Sequence, residues 1–265
     1  MKTDVTQDQV DYYRENGFIV LDEFLNGHEL AELRSAVDQG VDQLGRSKVA
    51  DVGMHMVEEE GFQDPKYLQR VNLWKINDTV KRYFLDPELG EMLCMLEGIG
   101  GIRVWHDQTL QKRPWANPTA WHSDVPLWSF HSHHAASIWV ALDDATLQNG
   151  CLYYLPGSHK VTRFDRVSIG DEVAGYFKTF PEFKEVEAVP AGMKAGQAAV
   201  HNGLIAHGAG PNMTPGWRRA MTCAYMPDGA TFNGTQNILS DEQVASLDIG
   251  DILDDEAQNP LVWKR

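Results

Sequence analysis

Apolar positions change their period along this chain, and the change falls near Gly98. Upstream, the spacing is helical. Thr6 followed by Gln9 is a capping-box pattern that opens a short helix running into Gly17, after which "FIVLDEF" reads as a strand. Asn26 with Glu29 caps a second helix, in which Leu30, Leu33, Val37, Val41 and Leu44 recur at helical spacing while Glu32, Arg34 and Asp38 stay on the wet side. A helix with one apolar stripe must cover something. Residues 46 to 78 show no clean period and are expected to form a long structured loop region. A further helix is expected over 86 to 97, ended by Gly98.

Downstream of Gly98 the chain breaks into short β-type runs separated by Gly, Pro and Asn: "IRVWHDQTLQK", "TAWHSD", "ASIWVAL", "CLYYLP", "EVEAVP", "GQAAVHN" and "RRAMTCAYM". Many short strands with turn signals between them favour a sandwich or closed barrel over alternating βαβ units. Asn149-Gly150 suits a tight turn and predicts a hairpin across "LQNGCLYYLPGSHK". No repeat or polar linker divides the halves. The expectation is one domain over 1–265, mainly β with α: a helical part to about residue 98, a barrel or jelly-roll core to about 227, and a tail.

The formal net charge of -15 disfavours nucleic-acid and anionic-membrane partners, which draw on an excess of Lys and Arg. A small molecule is the expected partner. Cys94, Cys151 and Cys223 are odd in number and lack CxxC spacing, so neither a disulfide framework nor a thiolate zinc site is expected. The charged N-terminus lacks the apolar core of a signal peptide, and no apolar run reaches membrane-spanning length. These features together predict a cytoplasmic protein.

Candidate chemistry begins in "TAWHSDVPLW", where His122 and Asp124 stand two apart. If this is a strand, both project to one side and Ser123 to the other. A third ligand is expected from His207, at the end of a short apolar run that opens into "GAGPN". Two histidines and one carboxylate on adjacent strands make the facial triad of non-haem iron(II) oxygenases, which leaves coordination positions for a co-substrate and O2. Arg218 follows eleven residues on. In the strand 217 to 225, Arg219, Met221, Cys223 and Tyr225 share an apolar face that suits cover by the N-terminal helices. Arg218, Ala220, Thr222 and Ala224 share a small, polar face able to line a cavity. A buried guanidinium needs an anion, and a dicarboxylate would supply it by bidentate pairing.

The stretches "TQDQVDYYRENGFIVLDEFL", "WHSD", "SIWVALDDATLQNGCLYYLPGSHK" and "HGAGPNMTPGWRRA" make the chain resemble the phytanoyl-CoA hydroxylase-like (PhyH) iron(II)/2-oxoglutarate dioxygenases over nearly its whole length. The resemblance implies a double-stranded β-helix, a jelly roll of the cupin kind, with His122, Asp124 and His207 on iron and Arg218 on the distal carboxylate of 2-oxoglutarate. Trp139 and Gln108 match positions beside the co-substrate, and Arg70 aligns with an upstream family lysine. Ala209 departs from the family, where many relatives have a serine. The implied reaction consumes 2-oxoglutarate and O2 and hydroxylates an unactivated C-H bond. The same chemistry could instead end in desaturation, epimerisation or cyclisation, and Asp124 argues against halogenation. A barrel that holds metal for binding or regulation without turnover is the reading of another class.

Specificity is expected from irregular, large-residue stretches flanking the barrel. Candidates are Met54, His55 and Met56 with Trp74, Trp128 and Phe130 after Asp124, and the tail after Met226. "HSHHAA" reads as a polar loop edge. His106, His201 and His159 read as structural, and "DEQVASLDIGDILDDE" as a solvated face. The pattern favours a free small metabolite and specifies no oligomeric state.

Overall fold

The computed structural model describes residues 1–45, 47–50, 68–167, 169–170 and 172–265. Local signals set the first elements. The Thr6–Gln9 box caps α1 (Gln7–Asn16), and Gly17 ends it at φ 84°, a left-handed conformation that glycine adopts without strain. Strand β1 (Phe18–Leu21) follows, then α2 (Gly27–Leu44), capped by Asn26 and Glu29. Its stripe of Leu30, Leu33, Ala36, Val37 and Gly40 is buried.

The aperiodic region expected over 46 to 78 contains more order than its pattern suggests. Strand β2 (Leu68–Val71) is followed by a 3-10 turn at Leu73–Lys75 and by α3 (Asp78–Phe84), which Asn77 caps. Four- and seven-residue elements are too short to establish a period. Helix α4 (Pro87–Glu97) starts on a proline at its first turn and stops at Gly98, as expected.

The β region comprises β3 (Gly101–Lys112), β4 (Thr119–His122), β5 (Ala136–Ala141), β6 (Leu152–Tyr154), β7 (Val189–Ala191), β8 (Ala198–Asn202), β9 (His207–Ala209), β10 (Arg218–Pro227) and β11 (Leu261–Lys264), with short helices α5 (Tyr176–Thr179) and α6 (Asp241–Ala245) between. One sheet runs β1-β8-β5-β10-β3-β11, with β2 also on β3; the other runs β4-β9-β6-β7. Every ladder is antiparallel. Ile138, Val200, Met221, Cys223 and Tyr225 on one face of the large sheet pack under α1 to α4. The opposite face meets the small sheet through Phe18, Trp139, Ala199, Ala220, Leu152, Tyr154 and Ala209. This is the jelly roll with helices outside that the strand pattern implied.

The hairpin expected at Asn149-Gly150 is not formed. The turn exists, with Cys151 N donating to Thr146 O, but it carries the chain from the large sheet to the small one, where β6 pairs with β7 and β9. Turn chemistry is local, whereas the choice of strand partner is not. All three cysteines are buried and free. Among the described residues no helix is long and apolar enough to cross a membrane.

Candidate active site: a histidine–aspartate–histidine cluster beside a buried arginine

Strand register maps the inner face of the large sheet. One row crosses His201 on β8, Ser137 on β5, Ala224 on β10 and His106 on β3. The next crosses Ala199, Trp139, Thr222, Gln108 and Val71. Two rows further along β10, Arg218 faces Lys112.

Against this face the small sheet presents His122 and His207, register partners on β4 and β9. Asp124 reaches them by a route that simple alternation does not give. The strand stops at His122, and Asp124 takes a helical conformation, its N–H donating to Gly203 O at 2.9 Å. A Cβ on Gly203 would lie 2.6 Å from Val125 Cγ2, so this close approach requires glycine. Ser123 points away, as expected, bonding Tyr176 Oη and Leu204 O.

The three side chains then place one ligand atom each within 4.8 Å of one another, a group able to hold a metal ion. His122 Nδ1 donates to Ala120 O (2.8 Å) and His207 Nδ1 to Ile205 O (3.1 Å). Since a carbonyl can only accept, the proton sits on Nδ1 and each Nε2 lone pair is turned to Asp124, at 3.6 and 3.8 Å from Oδ1. Burial pushes the His207 imidazole down to about 4, keeping it the neutral ligand a metal needs. Ser137 Oγ donates to Asp124 Oδ2 at 3.2 Å.

Arg218 is 3 % exposed, with its guanidinium carbon 5.1 Å from the centre of the Trp139 ring. One amino group reaches Leu110 O, while Nε has no partner and no carboxylate lies within ion-pair distance among the described residues. Burial pushes it down to about 10, and Cys151 and Asp143 compensate only in part. A buried cation left this way costs several kcal/mol, on the order of 3–5 when a partner is removed, so the site suits an anion that the described residues do not supply. A dicarboxylate spanning from the metal ligands to Arg218 fits that demand. Arg219 faces outward, paired with Asp143 and Asp38, as its strand face implied.

A cavity of about 530 Å³ joins these groups. Trp139, Gln108 and Trp128 line it. Gln108 accepts a hydrogen bond from Gln69, which also lines it. Arg70 does not: it projects to the other face of β2 and bonds the carbonyls of Gln69 and Gly45. Lys112, fully buried and the register partner of Arg218, donates from Nζ to Gly210 O and Asn117 O and does not line the cavity. Trp74 packs in the core under the helices, and Phe130 is fully buried among Trp105, Trp128 and Leu204, so neither reaches the cavity. Met54, His55 and Met56 lie outside the described residues. Ala209, expected to depart from the family pattern, lines the wall, and its register partner Thr119 offers a hydroxyl.

His106 and His201, expected to be structural, both line the cavity. Tyr154 Oη bonds His201 Nδ1 at 3.0 Å and sets its Nε2 3.5 Å from Asp124 Oδ2. The inner-face alternation of β3 could have indicated His106. His131 stacks on Phe164 and His133 meets the same ring edge-on, His134 faces Glu97, and His159 bonds Arg14 O, all away from the cavity. From the tail, Asn237 and Ile238 contribute lining.

The family model for phytanoyl-CoA dioxygenase (PhyH) matches residues 13–220. This chain belongs to the PhyH family. A phytanoyl-CoA dioxygenase of Arabidopsis thaliana is 24% identical over 245 residues, covering 82% of this chain and 87% of that protein. The solved non-heme alpha-ketoglutarate-dependent carbocyclase SnoK, from nogalamycin biosynthesis, is 25% identical with a TM-score of 0.78, covering 98% of this chain and 97% of that one. The epimerase SnoN, solved with Fe3+, alpha-ketoglutarate and nogalamycin RO, shares the fold at 23% identity, with a TM-score of 0.74 and coverage of 97% and 98%. This PhyH-family chain is an iron(II)- and 2-oxoglutarate-dependent oxygenase that acts on a small molecule.

Proposed function

We propose that this oxygenase hydroxylates an unactivated C-H bond of a free small metabolite, with His122, Asp124 and His207 holding iron(II) and Arg218 binding the distal carboxylate of 2-oxoglutarate. The observation that carries this reading is the convergence of three ligand atoms within 4.8 Å in one cavity with a buried arginine that has no carboxylate partner among the described residues. Iron(II) held there, with 2-oxoglutarate and O2, supplies the oxidising power for C-H cleavage, and 2-oxoglutarate leaves as succinate and carbon dioxide.

The work of the residues themselves is positional. Arg218 anchors the co-substrate, with Trp139 packed against its guanidinium and Gln108 and Thr222 along the floor between it and the metal ligands. Ser137 and His201 fix the orientation of Asp124. Trp128, Leu127 and Ile238 wall the remaining space with apolar surface, which excludes water from the reacting carbon. Among the described residues the charged side chains lining the cavity are Asp124, Arg218 and the exposed Lys48, a poor match for a phosphate-rich carrier. We assign residues 1–265 to one catalytic domain, and the three buried free cysteines suit a reducing cytoplasm.

A second reading is favoured by the full-length likeness to SnoK: hydrogen abstraction followed by ring closure, or by epimerisation as the name of SnoN records. Screening metabolites for stimulated succinate release, then weighing the product, separates these. A gain of one oxygen atom supports hydroxylation, a loss of two hydrogens ring closure, and unchanged mass epimerisation. Absence of succinate with iron(II), 2-oxoglutarate and O2 supplied would overturn both.

A further inference from the structure

His106 has no part in the chemistry assigned above, yet it lines the same cavity. It stands where β3 carries an extra residue: Ala224 pairs with His106 and Tyr225 with Val104, leaving Trp105 without a register partner. Such a bulge interrupts alternation and re-aims side chains, and bulges concentrate near active sites. Here Trp105 joins the buried aromatic cluster, with its ring edge-on to Phe130 at 5.4 Å. His106 stands edge-on to Trp128, ring centres 6.1 Å apart.

Only 6 % of His106 is exposed, and its Nδ1 has no hydrogen-bond partner among the described residues. That nitrogen is enclosed, so the part of the ring left to meet a ligand is the edge that lines the cavity. Burial pushes this imidazole down to about 4, with the Asp124 charge and the Asp107 backbone offsetting only part of it. A neutral ring in an apolar wall suits a neutral group, not a carboxylate or phosphate.

Register fixes what lies between His106 and the metal ligands. Ser137, whose hydroxyl holds Asp124, and His106 are separated in their row by Ala224 alone. Strands about 4.8 Å apart therefore place the two backbones roughly 10 Å from one another across a methyl floor. Leu127, Trp128 and Ile238 line the same space. Arg218 and the co-substrate end lie in the opposite direction along β10.

From these observations we infer that His106 is the polar anchor of the substrate lobe. It hydrogen-bonds a hydroxyl or comparable neutral group of an otherwise apolar small molecule, and the reacting carbon rests over Ala224. This rests on the functional reading above.

Benzyl alcohol and toluene serve as matched probes, an apolar body with and without a hydroxyl. Each is titrated anaerobically into the full chain, with and without iron(II) and 2-oxoglutarate. In His106→Phe the ratio of alcohol affinity to toluene affinity should fall about tenfold or more from its native value. His106→Gln, which keeps a donor and an acceptor, should stay within about threefold of native. In the native chain the alcohol should shift an imidazole nitrogen resonance that is missing from both variants. An unchanged ratio in His106→Phe, or no binding of either probe by the native chain, would overturn the assignment. Uptake of 2-oxoglutarate should be equal in all three chains. Failure of the native chain to take up iron or 2-oxoglutarate would instead overturn the parent reading, while the probe ratio is still read on the metal-free chain.

Discussion

Arg218 and Arg219 are adjacent in sequence and opposite in fate. Arg218 is buried over the Trp139 ring with no carboxylate at ion-pair distance among the described residues, while Arg219 holds Asp143 at 2.9 Å and Asp38 at 2.9 Å on the outer face of the same strand. Losing a charge-assisted contact at a desolvated site costs on the order of 2–5 kcal/mol, whereas a partly exposed ion pair is worth about 1 kcal/mol or less. Arg218→Ala should therefore raise the 2-oxoglutarate requirement at least tenfold more than Arg219→Ala does. Equal shifts in 2-oxoglutarate affinity would remove the co-substrate role of Arg218.

In the proposed function His201 stands behind Asp124 and orients it without joining the ligand set. The Tyr154 hydroxyl at 3.0 Å fixes its ring, and its Nε2 stands 3.5 Å from Asp124 Oδ2. Outer partners of this kind are worth roughly 10- to 100-fold in metal affinity. His201→Ala should weaken iron binding by that factor yet still reach full occupancy at high iron, and Tyr154→Phe should do so less. Competition titration against a chelator reads both. Loss of all binding would make His201 a ligand, and no change would make it packing.

Trp128 and Phe130 flank the same turn but differ in where they face. Trp128 lines the cavity, and Phe130 is fully buried beneath it. Trp128→Ala should leave substrate-free 2-oxoglutarate consumption nearly intact while product falls. Phe130→Ala should cost about 3–5 kcal/mol of stability, as aromatic truncations in cores do. If urea midpoints and coupling ratios moved together in both variants, the division between wall and core would fail.

Asp107 makes stability depend on pH. Its carboxylate accepts from Leu73 N and Trp74 N at 2.7 Å each, holding the turn below β2, but burial pushes it up to about 7 and these bonds offset only part of that. The folded pKa is raised, so the folded state binds more protons than the unfolded between about pH 4 and 7. The contribution is therefore complete below about pH 4 and lost as pH rises through about 7, with an upper bound on the order of 4 kcal/mol. Urea unfolding across this range should show a falling midpoint in the native chain and a flatter one in Asp107→Asn. Parallel slopes would contradict it.

Sequence legibility followed how local each cause is. The capping boxes at Thr6–Gln9 and Asn26–Glu29 need only four residues, and both helices start where these patterns place them. Alternation along β10 separates Arg218 from Arg219 because a strand interior keeps its period. The same rule failed for Asp124, whose strand ends two residues earlier and whose position depends on Gly203, distant in sequence. Trp74 and Phe130 were legible as large and apolar, but size and polarity do not distinguish a core from a cavity wall. His201 was hidden because its role exists only once β8 is laid beside β5, whereas His106 keeps the parity of Gln108 and Leu110 along β3 and was legible from it.

The most direct measurement is an anaerobic titration of iron(II) into the native chain and His207→Ala, followed by addition of 2-oxoglutarate. The native chain is expected to bind one iron per chain and to develop a visible metal-to-ligand absorption only when 2-oxoglutarate is added, because the co-substrate chelates the positions the protein leaves open. His207→Ala should show neither stoichiometric iron nor the band. A native chain that binds no iron, or a His207→Ala chain with undiminished iron affinity and the same band, would contradict the assignment of the cluster as the metal centre.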